Sequence, residues 1–189
     1  MRHVWAFDEW SCLRLDEIRE ALLQKATDAP RLRDITLGDL CCLAVTGECP
    51  VGLYVFIDDD GIAYAGKTHG RSLHERIVSH VEHRMPIAGT PHLARLAQSL
   101  IKVGAADCGV DAVNKILDMR ILWLPVPSGG MTSDEHKQFI ACIERRLLWS
   151  GCLDPRLNSV RVKHNSTYSL RGKRYQLKEE IMLGDPLSV

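Results

Sequence analysis

Three stretches of this chain carry apolar side chains almost without interruption: residues 51–57, 62–65 and 119–126. Each is short and rich in aromatic or β-branched residues, which predicts buried strands rather than helices. The first two are separated by Asp58-Asp59-Asp60-Gly61, an acidic turn with the Asp-Gly signal of a β-hairpin. The third ends at Pro127-Ser128-Gly129-Gly130. Elsewhere the apolar spacing lengthens to three and four. Leu15, Ile18 and Leu22 share a helical face that stops before Asp28-Ala29-Pro30, and Thr36-Leu37-Gly38-Asp39 reads as the capped start of a second helix. That helix turns Leu40, Leu43 and Ala44 inward and ends at Glu48-Cys49-Pro50. Ser72-Leu73-His74-Glu75 and Thr132-Ser133-Asp134-Glu135 fit capping boxes. The first opens a helix to about Glu82, with Ile77 and Val81 toward the sheet. The second opens a helix to about Ser150, with Phe139, Ile143 and Leu147 inward and Gly151 as its C-cap. Thr90-Pro91 reads as the start of another helix carrying Leu93, Leu96, Leu100 and Ile101, and a short one is expected near residues 110–117.

Composition narrows the class. At 189 residues, 46% of them hydrophobic, the chain can fill a sizeable core, and global disorder is excluded. No apolar run approaches the ~20 residues of a bilayer span. The first ten residues lack the apolar core of a signal peptide, so the expected setting is cytoplasmic, with no membrane partner. Seven cysteines at irregular spacings, with no CxxC pair, read as reduced thiols serving as small apolar core residues. A zinc site from Cys41, Cys42 and Cys49 with a histidine is the alternative reading. The formal net charge is zero, which argues against a purely electrostatic nucleic-acid binder. The charge is uneven, however: residues 155–178 contain no acid, while Arg156, Arg161, Lys163, Arg171, Lys173, Arg174 and Lys178 are basic. Such a segment is either a solvated tail or a surface that meets a phosphate backbone.

The candidate chemistry lies on the hairpin and the two capped helices. Gly52-Leu53-Tyr54 and Tyr64-Ala65-Gly66 put a phenol on each strand, with Lys67 next. Arg76 and His80 lie four apart on one helical face, and His83 follows one turn on. Glu144 lies on the later helix, and Pro155, Leu157 and Asn158 close the order. This succession resembles the GIY-YIG nuclease family over roughly residues 51–158. Leu53 and Ala65 stand where the family name has isoleucines, and both are apolar strand residues. The resemblance implies an α+β fold with a small antiparallel three-stranded sheet flanked by helices. Residues 1–50 become a helical N-terminal extension, residues 84–118 a helical insertion into the core, and residues 159–189 a basic tail.

It also implies a metal-dependent DNA endonuclease, of restriction or other defence type. A structure-specific repair or recombination nuclease, and a non-catalytic binding module on the same fold, are the alternatives. Glu144 would hold Mg²⁺, with Mn²⁺ as a substitute, because one carboxylate suits an ion that keeps several waters. Tyr54 is favoured as general base, with Tyr64 positioning water or phosphate. A phenol of ordinary pKa ~10 needs about 4 kcal/mol of help to ionise freely at pH 7, and Arg76, Lys67 and the metal are the local sources. Arg76 would grip the scissile phosphate through its fork, Lys67 would line the same site, and His80 would bond a tyrosine hydroxyl or the phosphate. Gly66 and Asn158 would order the site. Arg161, Lys163, Arg171, Lys173 and Arg174 are candidate DNA contacts. His69, His74, His83 and His164 are read as surface residues without a role. A homodimer on a palindromic site is compatible with such an enzyme.

Overall fold

The structure is a computed structural model of the chain, and it describes residues 4–36, 38–39, 51–69, 73–87, 90–149, 157–158, 167–170 and 173–176. In chain order it runs through α1 (Phe7–Trp10), α2 (Leu15–Ala26), a 3-10 turn (Leu32–Asp34), β1 (Gly52–Asp58), β2 (Gly61–Thr68) and α3 (Leu73–Val81). There follow β3 (His83–Ile87), β4 (Thr90–Leu93), α4 (Arg95–Lys102), α5 (Gly109–Asp118), β5 (Arg120–Pro125), α6 (Ser133–Trp149), β6 (Thr167–Leu170) and β7 (Lys173–Gln176). The fold is α+β. The three apolar runs form one antiparallel sheet in the order β2-β1-β5.

The central strand β1 is buried on both faces, which explains its unbroken apolar run. Tyr54 and Phe56 face one core, packed by Leu73 and Ile77 of α3, Leu96 and Leu100 of α4, and Ala112 and Ile116 of α5. Leu53, Val55 and Ile57 face the other, packed by Ile140 and Leu147 of α6 and by Trp5, Trp10, Ile18 and Leu22. Each fully buried aliphatic side chain contributes about 1.5–3 kcal/mol. The N-terminal segment is therefore a layer of the core. It also extends the sheet's hydrogen bonding: Trp5 N–H donates to Trp123 O at 2.8 Å, Leu32 N–H to Met119 O at 2.8 Å, and Ile121 N–H to Pro30 O at 3.1 Å. Arg120 Nη1 closes the end of α2 by donating to the carbonyls of Ala26, Thr27 and Ala29 at 3.3, 2.6 and 3.1 Å.

Several expectations need correction. The segment expected as a helical insertion opens with a hairpin, β3 and β4. Thr90-Pro91 lies on β4, and the helix starts at Arg95. The residue before a proline favours extended backbone, and proline's missing N–H is tolerated on a two-stranded edge. On α6 Phe139, Ile143 and Leu147 do turn toward the core, Leu147 buried and the other two packed against it, and Ile140, which the sequence reading left out, is the deepest. Cys12 and Cys108 are exposed and Cys142 half-buried, so these three do not serve as core residues. Each occupies a helix end or flank: Cys12 follows α1, Cys108 precedes α5, and Cys142 lies on the outer side of α6 from Ile140.

Other expectations hold. Thr132 N–H and Oγ1 both donate to Glu135 Oε2 at 3.0 Å, while Glu135 N–H points back to Thr132 Oγ1. Thr36 and Asp39 make the same reciprocal bonds. The cap at Ser72, the helix over residues 40–50, Cys41, Cys42, Cys49, Cys152, Gly151 and Pro155 lie outside the described residues. Within the basic segment β6 and β7 pair as an antiparallel hairpin, which holds Lys173 and Arg174; Arg161, Lys163 and Arg171 lie outside the described residues. Among the described residues no helix is long and apolar enough to cross a membrane.

Candidate active site

Strand register sets the positions of the two phenols. Tyr54 on β1 pairs with Gly66 on β2, and Phe56 pairs with Tyr64. Tyr54 and Tyr64 are thus diagonal neighbours on one sheet face, with ring centroids 6.1 Å apart. The place opposite Tyr54 must be empty of side chain. A Cβ added to Gly66 would overlap the Tyr54 hydroxyl and ring, and one on Gly52 would overlap the Leu124 carbonyl across the sheet. Both motif glycines are there because a neighbouring group occupies the space of their side chain.

Helix α3 crosses this face. Its buried stripe, Leu73, Ile77 and His80, faces the sheet. His80 Nε2 lies 2.7 Å from the Tyr54 hydroxyl, and its ring is 5.0 Å from that of Tyr64. Burial first, then the charge of Arg76, pushes the imidazole down to about 4, so His80 is neutral at pH 7. Arg76 is half-buried one turn before it. Among the described residues its Nε meets no hydrogen-bond acceptor and no water-accessible surface. A guanidinium N–H held that way is short of an anion.

The phenols differ. Tyr54 is 1% exposed. Burial, with Tyr64 beside it, raises its pKa far above the ordinary tyrosine value. Tyr64 is half-buried, and its pKa is also raised, chiefly by burial, but a hydrogen bond from Tyr54 and the charges of Arg76 and Arg95 work in the opposite direction. Tyr54, expected as the base, is therefore the less accessible and less ionisable of the two.

Glu144 comes from α6, on the far face of β2. His136, Ile140, Glu144 and Leu147 fall on one helical stripe, which turns the carboxylate toward the sheet. Glu144 Oε2 pairs with Lys67 Nζ at 2.6 Å. Its negative charge is near enough to disfavour ionisation of both phenols. Asn158 grips the outer edge of β2: Ala65 N–H donates to its Oδ1 at 2.9 Å, and its Nδ2 donates to Ala65 O at 2.7 Å. Leu157 N–H adds a bond to Ala63 O at 3.0 Å. These bonds hold the backbone on both sides of Tyr64.

Of the sequence-expected residues, Tyr54, Tyr64 and His80 are in mutual contact, and Arg76 lies one turn before His80. Glu144, paired with Lys67, is near enough for its charge to bear on the two phenols. Gly66 and Asn158 fix the strand around Tyr64. Sequence reasoning missed Arg95, whose charge reaches Tyr64. The helix start misread at Thr90 concealed it, because Arg95 is the first residue of α4 rather than a mid-helix surface residue. It also missed buried His136, whose Nε2 lies 2.8 Å from Val126 O. His69, read as a bare surface residue, is half-buried, with Nε2 3.2 Å from Ser133 O. Comparison with protein-family models, curated proteins and solved structures returned no match.

Proposed function

We propose that this protein is a divalent-cation-dependent DNA endonuclease of the GIY-YIG type. The observation that carries the reading is a pair of adjacent phenols beside an arginine whose buried Nε has no acceptor among the described residues, with the Glu144 carboxylate near enough for its charge to bear on both phenols. Phosphodiester hydrolysis needs those groups: a base for water, a cation for the phosphate and a hard oxygen ligand for a metal.

The donor set fits Mg²⁺. Glu144 supplies carboxylate oxygens, and among the described residues no three His, Cys, Asp or Glu side chains form an all-protein cage. The remaining ligands would be water and substrate oxygen, as Mg²⁺ prefers. Bound there, the ion would neutralise charge on the phosphate and the leaving oxygen.

Tyr64 is the better general base. The neutral His80 can donate its Nε2–H to the Tyr54 oxygen, which directs the Tyr54 proton toward Tyr64 and stabilises a Tyr64 phenolate. The phenolate is the active form, and it takes the proton from water as the water attacks. Arg76 supplies the positive charge for the phosphate, and its Nε has no acceptor of its own among the described residues. Asn158 fixes the strand that carries Tyr64. Lys173, Arg174, Arg161, Lys163 and Arg171 are basic residues that would supply charge for the DNA backbone.

Supercoiled plasmid incubated with the protein and Mg²⁺ should be nicked or cut and should survive in EDTA. Tight DNA binding with no cleavage in either Mg²⁺ or Mn²⁺ would replace this reading with a binding module.

A further inference from the structure

We infer that Lys67 is a resident counter-ion that holds the Glu144 carboxylate where the divalent cation goes. Cation binding is then an exchange, in which the ammonium passes from Glu144 to a substrate phosphate. The inference rests on the reading of Glu144 as the metal ligand and adds a step to it.

The pair is short, 2.6 Å from Nζ to Oε2, and its two side chains differ in enclosure: Lys67 is 34% exposed and Glu144 18%. The lysine head can therefore leave toward solvent while the carboxylate stays. Its backbone does not need to move. Lys67 pairs with Leu53 across the sheet, and the next residue, Thr68, is fully buried and bonded to Gly52 N–H through its hydroxyl at 3.0 Å. Only the four-carbon stem has to turn, and that stem is flexible with a compact, mobile charge at its end.

An ammonium and a divalent cation cannot share one carboxylate oxygen cheaply, because like charges within about 4 Å repel strongly even at a screened, near-surface dielectric. The cation must therefore displace Lys67 or bind weakly. Arg76 contrasts with it. Its Nε has no acceptor among the described residues, so no anion has to be displaced from it, whereas Lys67 becomes ready only when Glu144 is taken. A phosphate offers the displaced ammonium a new partner. Metal and DNA then assist each other's binding, and the assistance is reciprocal by linkage. Before the metal arrives, the same pairing masks a carboxylate that would otherwise repel the incoming phosphate.

The test is Mn²⁺ binding by calorimetry, with the full chain, with and without a short phosphorothioate duplex. Lys67→Met should bind Mn²⁺ alone roughly tenfold or more tightly than the unmodified protein. The duplex should tighten Mn²⁺ binding by the unmodified protein and should add little in Lys67→Met. Lys67→Arg, which keeps the charge, should bind Mn²⁺ no more tightly than the unmodified protein. Equal or weaker Mn²⁺ binding by Lys67→Met, with binding lost in Glu144→Gln, would overturn the exchange and leave the metal-ligand reading standing. Unchanged binding in Glu144→Gln would overturn that reading itself, and the exchange with it. A second measurement uses the unmutated chain. After reductive ¹³C-methylation, which preserves charge, the Lys67 resonance should shift on adding Mg²⁺, and an unmoved resonance contradicts the exchange.

Discussion

At the scale of the residue, burial divides two chemically identical phenols. Tyr54 lies under α3 against His80, and Tyr64 is half-buried, where Arg76 and Arg95 offset only part of what burial and the Glu144 charge do to raise its pKa. Tyr64→Phe should lower kcat by ~10²–10⁴, measured under single-turnover conditions, with little change in thermal stability. Because the active form of a general base is deprotonated and burial raises the Tyr64 pKa, its rate should keep climbing with pH from 7 to 9 without levelling. A plateau beginning below pH 7 in the unmutated protein would exclude Tyr64 as the base. The elements that carry the tyrosines, glycines, Arg76, His80 and Glu144 were legible in the sequence because a hairpin and amphipathic helices are locally determined, and the order of those residues along them is what the resemblance rests on. The ranking of the two tyrosines was not, since it depends on what packs around them from residues a dozen or more positions away.

At the scale of the element, β2 is an edge strand and its outer side is covered by Leu157 and Asn158. Asn158→Ala removes two hydrogen bonds to Ala65, and should cost about 1–3 kcal/mol in denaturant unfolding. The same change should lower kcat through the loosened strand beneath Tyr64, with KM less affected. Helix α3 makes stability depend on pH. The His80 pKa falls from 6.5 to about 4 on folding, so the unfolded chain takes up the proton first as pH drops. Stability is complete above pH ~6.5 and is lost by about 3 kcal/mol on the way to pH ~4. Unfolding curves for His80→Asn should lack that component; an identical acid slope in both proteins would contradict it. Capping boxes at Thr36 and Thr132 were readable because their bonds span only three residues. The β3-β4 hairpin was not, because Thr90-Pro91 is equally at home as a helix start and on an edge strand.

At the scale of the whole molecule, the sheet is a thin layer that needs cover on both faces. Sequence spacing identified α2 but not its place, since nothing local connects Ile18 and Leu22 to Leu53, Val55 and Leu122. Removal of residues 1–26 would strip Trp5, Trp10, Ile18, Leu22 and Ala26 from that core. The truncated chain should lose its cooperative thermal transition and aggregate, whereas a dispensable arm would leave both unchanged. With both faces covered, the proposed site lies at β2, with α3 and the first turn of α4 on one face of the sheet and Glu144 of α6 reaching it from the other. Metal-dependent cleavage at that place is the central claim. Its most direct measurement is the single-turnover cleavage rate of supercoiled plasmid in Mg²⁺ by the unmutated protein and by Glu144→Gln, with folding checked by circular dichroism. Robust cleavage that falls by ~10² or more in Glu144→Gln is the predicted result, and equal rates in the two proteins would contradict the account.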